Sequence, residues 1–295
     1  MHKSVLLKKA IDCLDLQEGD IYLDATLGAG GHAEEVYARL KDKVTILGID
    51  ADESALQIAK ERLERAGAKP QLAVLNFREI EKVKELFDTT PPTKILFDLG
   101  WSAMQMEDSG RGMSFNRDEP LLMTLGRPTG EEVTAYDVVN IWSEETLADV
   151  IYGFGEEKFS RRIAKRIVEK REEKPIATSF ELAEIVKEAV PVWYRFGRIH
   201  PATKTFQAIR IAVNDELQTL EAGLRGAFEI LQTGGRVAVI SFHSLEDRIV
   251  KRFFKQLEEE GKVEILTKKP LIADEEELQE NPRARSAKLR VIRKI

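Results

Sequence analysis

"LDATLGAGGH", residues 23–32, places three glycines in a ten-residue stretch behind a short apolar run. In an open α/β sheet, ligands bind beyond the carboxyl ends of the strands, and small residues let them approach the backbone closely. "IYLD" (21–24) reads as the strand entering the turn. Ala33, Val36, Tyr37 and Leu40 share one face of the helix leaving it. Gly28, Gly30 and Ala33 satisfy G-x-G-x-x-A, the dinucleotide fingerprint. Two ligands therefore compete. A dinucleotide would set its pyrophosphate on the helix N-terminus. S-adenosylmethionine has no phosphate but carries an ammonium, a sulfonium and a ribose. Asp24 at the loop entrance repels a diphosphate and suits a cationic amino acid. The loop also runs four residues from Asp24 before its first glycine, longer than dinucleotide loops usually are. Asp50, 20 residues past Gly30, suits the ribose hydroxyls of either ligand.

Outward from this turn, strand and helix signals alternate. "VTILGID" (44–50) reads as a buried strand, and Ala55, Ile58, Ala59 and Leu63 as the buried face of a helix. "QLAVL" (71–75) is a third strand, residues 79–88 a helix, and "KILFDLG" (94–100) a fourth strand. This alternation predicts a doubly wound, mostly parallel α/β sheet with helices on both faces. Asn76 and Phe77 after strand three, and Asp98 after strand four, complete a ring of groups around one crevice. Phe77 is suited equally to an adenine edge and to the core.

The next convincing strand, "GRVAVISF" (235–242), comes more than 130 residues after Asp98. Connections within α/β units run about 2–6 residues, so a segment is inserted. Residues 134–196 read as short helices and 203–231 as one long helix, with Phe206, Ile209, Val213, Leu217, Leu220 and Leu224 on one face. A helix (244–260), a strand (263–267), an acidic loop and a terminal strand, "KLRVIRKI", follow. Residues 1–105 and 206–295 are thus expected to form the sheet domain and 106–205 an inserted helical domain. At the N-terminus, "MHKSVLLKKAIDCL" reads as an amphipathic helix capped by Ser4.

The net charge of −6 argues against a general polyanion binder, but the charge is uneven. Residues 158–174 carry eight basic and three acidic side chains. Residues 191–211 carry four basic and none acidic, and residues 281–295 six and none. Basic patches on an acidic body suit one structured anionic partner. Cys13 stands alone and the four histidines are scattered, so neither a disulfide nor a metal site is expected. No apolar run approaches about 18 residues, and no secretion signal is evident, so a cytoplasmic protein is expected.

"DATLGAGGH", "FDLGWSAMQ", "RGMSF", "GEEKFSRRIAKRI", "HPATKTFQAIRIAVNDEL", "GGRVAVISFHSLEDRIVKRFF" and "NPRARSAKLR" together resemble the bacterial 16S ribosomal RNA cytosine-N4 methyltransferase family. The likeness covers nearly the whole chain. The strings around His243 and His200 are highly specific, whereas the glycine loop alone is weak. The resemblance implies a Rossmann-like class I methyltransferase that transfers a methyl group from S-adenosylmethionine to a decoding-region cytosine of 16S rRNA, within the small ribosomal subunit. It implies cofactor contacts at Gly30, Gly31, His32, Asp50, Phe77, Asp98 and Gln105. Trp101, Ser102 and Ala103, and the segment "LLMTLG", depart from the family pattern near the expected target pocket.

Cytosine N4 is a poor nucleophile because its lone pair is delocalised into the ring. Transfer needs the nitrogen in line with the sulfonium methyl, and an acceptor for the amine hydrogens. Asp98 or the carbonyls of Leu99 and Gly100 are candidate acceptors, with Trp101 stacking on the base. Alternatively Asp98 serves only the cofactor. His243 is a candidate for the product proton, or a cap of the next helix together with Ser244. No catalytic residue follows from spacing. Arg161, Arg162, Lys165 and Arg166 on one helix, and Arg195, Arg198 and Lys204 among aromatics, are candidates for gripping RNA, the second group the better for lacking acids. An NAD-dependent oxidoreductase and a non-catalytic ribosome-assembly factor are the competing functions. The oligomeric state stays open.

Overall fold

The structure, a computed structural model, describes residues 4–100, 110–125 and 132–295. Along the first stretch run α1 (Leu7–Leu14), β1 (Ile21–Asp24), α2 (Gly31–Leu40), β2 (Thr45–Asp50), α3 (Glu53–Arg65) and β3 (Gln71–Val74). A 3-10 turn (Phe77–Lys82), α4 (Val83–Leu86) and β4 (Lys94–Asp98) follow. Then come α5 (Ala135–Ile141), α6 (Glu144–Gly153), α7 (Ser160–Glu173), α8 (Ser179–Ala189), α9 (Val192–Arg195) and α10 (Thr203–Asn214). The C-terminal part holds α11 (Glu216–Ile230), β5 (Arg236–Ser241), α12 (Ser244–Glu259), β6 (Val263–Ile265), α13 (Glu275–Glu280) and β7 (Lys288–Lys294). Two compact units result: Met1–Gly100 with Leu217–Ile295, and Trp101–Glu216.

The first unit is a seven-stranded sheet in the order β3-β2-β1-β4-β5-β7-β6. The pairs β1–β2, β2–β3, β1–β4 and β4–β5 are parallel, and β7 is antiparallel to both β5 and β6. The chain builds outward from β1 to β3, then returns to place β4 on the other side of β1. That reversal is the switch point, and it opens a crevice at the carboxyl ends of β1 and β4. Ile95, Leu96 and Phe97 of β4 are all fully buried, as a parallel strand covered on both faces requires. One apolar layer joins Leu14, Val36, Leu56 and Leu63 from α1, α2 and α3. The other joins Ile80, Leu220, Leu224 and Phe254. The second unit has its own core, including Val138, Leu147, Ile163, Ile167, Leu182 and Ile209.

Three local expectations change. The segment 203–231 is two helices, broken at Asp215, whose left-handed backbone (φ 49°) stops α10. Arg210 and Glu216 pair across that break at 2.8 and 3.0 Å. Residues 79–88 hold the end of a 3-10 turn, to Lys82, and a single α-helical turn, Val83–Leu86. Helix α1 begins at Leu7, not behind Ser4. Its cap position is Leu6, in the left-handed region, whose N–H donates to Glu277 Oε1 at 2.5 Å. No described helix is long and apolar enough to cross a membrane.

Candidate functional site

The glycine loop is stitched to the strands on both sides of it. Ala25 N donates to Leu96 O of β4, and Leu27 N to Ile49 O of β2. Gly28 N donates to Asp50 Oδ2 at 2.8 Å. Gly30 then starts α2 from the left-handed region (φ 76°), where an added Cβ would also lie 3.1 Å from Ala59 Cβ of α3. Glycine at this position is thus required twice, by the turn and by close packing of two helices. Gly31 is the first residue of α2.

Three carboxyl groups surround this loop. Asp50 uses both oxygens, accepting from Gly28 N and from Asp52 N (2.9 Å). Each oxygen retains a second lone pair. Burial raises its pKa, and the backbone N–H groups of Asp52, Gly28 and Ala51 partly offset that. Asp24 is buried rather than open at the loop mouth. It accepts from the Tyr22 hydroxyl at 2.9 Å and from Thr26 N at 3.3 Å. Burial pushes its pKa up to about 7 against the help of these donors. Asp98 sits at the end of β4, where its N–H donates to Thr26 Oγ1 at 2.6 Å. A fifth of its side chain remains accessible, yet Oδ1 is shut off from solvent and has no hydrogen-bond partner among the described residues. Burial first, then the Asp24 and Glu246 charges, raise its pKa to about 8, with the Gly100 N–H opposing.

The imidazole of His32 is buried. Its Nε2 lies 3.1 Å from the Val5 carbonyl, which can only accept, so this nitrogen carries the hydrogen. Nδ1 faces Asp98 Oδ2 at 3.7 Å. The ring therefore ties the N-terminal segment to the carboxyl end of β4. Phe77 is half-buried, meets Phe97 edge-on (5.6 Å, 89°) and lies over Gly223 of α11. Of the residues nominated from sequence, Gly30, Gly31, His32, Asp50 and Asp98 come together around the loop. Phe77 packs beside β4. Gln105, and Trp101, Ser102 and Ala103, lie outside the described residues.

His243 caps α12. Its side chain accepts from Glu246 N while Glu246 accepts from the His243 N–H, a reciprocal capping box. Glu246 Oε2 also accepts from Phe242 N at 2.7 Å. The capping role is thus the one observed. Phe242 explains the glycine of "DLG", since a Cβ at Gly100 would come within 2.6 Å of its ring. Sequence reasoning missed Tyr22, Thr26 and Glu246. For Tyr22 a signal existed, because residues two apart on a strand share a face, which puts its hydroxyl beside Asp24.

Chemically, the crevice offers flexible-approach backbone, partly neutralised carboxyls and one unmatched buried acceptor. A phosphate would meet the acidic groups of Asp50 and Asp98 here. A cation with N–H and O–H donors would match Asp98 Oδ1 and the remaining lone pairs of Asp50. The residues present thus fit a positively charged amino-acid nucleoside. The separate cavity of about 500 Å³ lined by Ser4, Leu7, Gly31, Tyr37 and Arg62 includes none of these carboxylates.

Comparison with known proteins agrees in family. Ribosomal RNA small subunit methyltransferase H of Sulfurihydrogenibium azorense is 48% identical over 297 residues, covering 100% of this chain and 99% of that protein. The protein of the same name from Lactobacillus johnsonii is 42% identical over 314 residues, with the same coverage. Among solved structures, an rRNA methylase from Streptococcus thermophilus superposes with a TM-score of 0.45 at 12% identity, covering 100% of this chain and 99% of that one. The MraW methylase family model matches residues 1–295, and the chain belongs to that family.

Proposed function

We propose that the chain transfers a methyl group from S-adenosylmethionine to the N4 amine of a decoding-region cytosine in 16S rRNA, acting on the small ribosomal subunit. The relatives named as small-subunit rRNA methyltransferases support the RNA substrate. The observation that carries the reading at the site is Asp98, a half-buried switch-point carboxyl with one enclosed oxygen unmatched among the described residues. Gly28, Gly30 and Gly31 would hold the cofactor against backbone, and Asp50 would accept from its ribose. The bound cofactor supplies an electrophilic methyl on a sulfonium. Asp98, or the carbonyls of Leu99 and Gly100, accept the amine hydrogens so that the nitrogen can turn its lone pair toward that methyl. A strong base is not needed beforehand, since the methylated cation loses its proton readily. His243 is assigned to holding α12, not to proton transfer. The inserted unit recognises the RNA.

The test is incubation of isolated small subunits with methyl-labelled S-adenosylmethionine, followed by mass mapping of the modified nucleoside. N4-methylcytidine at one decoding-region position is expected. Label on a ring nitrogen, a carbon or a ribose oxygen refutes the N4 assignment, and absence of label refutes the enzyme.

A further inference from the structure

Most of the basic side chains that the sequence nominates for gripping RNA are engaged within the inserted unit. Arg166 pairs with Glu188 at 2.7 Å and with Glu169, and Lys165 lies 4.0 Å from Glu169. Arg195 donates to the carbonyls of Val190 and Glu188, and Lys204 to that of Glu156. What residues 192–199 leave open is largely aromatic and apolar, with Arg198 among it. Phe196 is 84% exposed and Trp193 64%, with Val192 and Ile199 exposed beside them. A single exposed apolar residue needs no explanation, but a group of four within eight positions does.

The indole of Trp193 is held in place. Its ring meets Tyr194 (5.7 Å, 87°) and Phe159 (6.0 Å, 67°) edge-on, and those two rings meet each other at 5.0 Å. Tyr194 is fixed by donating its hydroxyl to Glu157 Oε2 at 2.6 Å, and the buried Glu157 accepts from Phe159 N through its other oxygen. Lys158 Nζ stands 4.8 Å from the Trp193 centroid. Arg198 is exposed and makes no ion pair with the described residues. No acidic residue occurs between 191 and 211.

We propose that Trp193 and Phe196 form a stacking platform for unpaired bases of the RNA substrate, with Lys158 and Arg198 placed for the adjoining phosphates. This inference rests on the RNA reading given above. Every base has a π-face, so pre-set aromatic rings beside cations grip single strands without reading sequence. RNA enzymes act largely on unstacked bases of this kind. The stretch 191–211, with four basic side chains and no acidic one, matches the uniform negative charge of a nucleic-acid backbone, which makes RNA the occupant.

The experiment measures binding of a labelled unstructured 12-nucleotide RNA by anisotropy over a range of salt. Phe196→Ala and Trp193→Ala should each weaken binding by about 5- to 100-fold, with the salt slope unchanged. Trp193→Phe should restore most of the affinity lost in Trp193→Ala. Arg198→Glu should flatten the salt slope by about one. Melting temperature and S-adenosylhomocysteine affinity, measured alongside, should hold in all four and so exclude misfolding. RNA binding unaltered by both alanine variants overturns the platform. So does a self-associated species in sedimentation that Phe196→Ala dissociates without changing RNA affinity. Methyl transfer by the unsubstituted protein to small subunits is read in parallel. If it succeeds while the alanine variants bind RNA normally, the platform alone falls. If it fails, the functional reading falls, and the binding data still judge the platform.

Discussion

Asp98 ends β4 with one oxygen closed to solvent and unmatched by any donor among the described residues. Its pKa of about 8 stands far above the ordinary value of 3.8, and Asp24, at about 7, moves the same way. A carboxyl raised in this manner keeps its proton in the folded chain and releases it on unfolding. Its contribution to stability is therefore fully present below about pH 4, declines as pH rises to about 8, and is flat beyond. Asp98→Asn removes the ionisation. The variant should gain on the unsubstituted protein steadily between pH 5 and pH 8, read as denaturant midpoints, and parallel profiles would refute the buried-proton account. The same proton reports binding. A sulfonium favours the ionised carboxylate, so S-adenosylmethionine should displace more protons at pH 7 than uncharged-sulfur S-adenosylhomocysteine, measured by calorimetry in buffers of different ionisation enthalpy. Asp50 and Asp98 were legible as the final residues of apolar strands. The burial of Asp24 was not, because it depends on how the folded turn covers it and on the Thr26 N–H that the turn brings to it.

At the scale of elements, the seven strands were readable because each is a short apolar run bounded by turn residues, and their ends shift by no more than two residues. Helices were harder where a single residue overrides the pattern. The apolar stripe from Phe206 to Leu224 continues through Asp215, yet the left-handed backbone there divides it. Ser4 has the right chemistry for a cap, but Glu277, from the far end of the chain, supplies the acceptor at Leu6 N. No local signal encodes a partner 271 residues away. The junction from β1 into α2 is the reverse case, with local and distant demands agreeing on Gly30. Gly30→Ala places a side chain at φ 76° and presses Ala59 of α3. A cost of about 1–2 kcal/mol is expected from the left-handed conformation alone. S-adenosylhomocysteine affinity should fall with it, because the loop and the start of α2 share this residue. A variant with full stability and full affinity would show that the turn tolerates a Cβ.

For the whole molecule, the decisive feature is that the chain leaves the sheet after Gly100, builds a separate compact unit, and resumes the sheet unit at Leu217. The long gap between sheet strands predicts an insertion with edges at 106 and 205, and the compact unit spans Trp101–Glu216. The basic C-terminal strand illustrates the limit of counting charges. Arg290 and Lys288 pair with Asp247, Arg293 with Glu264, and Lys294 donates to two carbonyls. Those cations hold the sheet unit together, whereas the inserted unit carries a basic-aromatic surface at residues 192–199. Each unit has apolar clusters of its own, so each should respond to its own perturbation. Leu147 is fully buried in the inserted core. Leu147→Ala should destabilise that unit by about 2–5 kcal/mol and separate its calorimetric transition from that of the sheet unit. S-adenosylhomocysteine at about 100 times its Kd should add roughly 2.7 kcal/mol to the unit that binds it, raising the sheet unit's transition and leaving the other where it was. One merged transition moved as a whole by both the substitution and the ligand would mean that the two cores unfold as one, and that the inserted unit is not an independent recognition module.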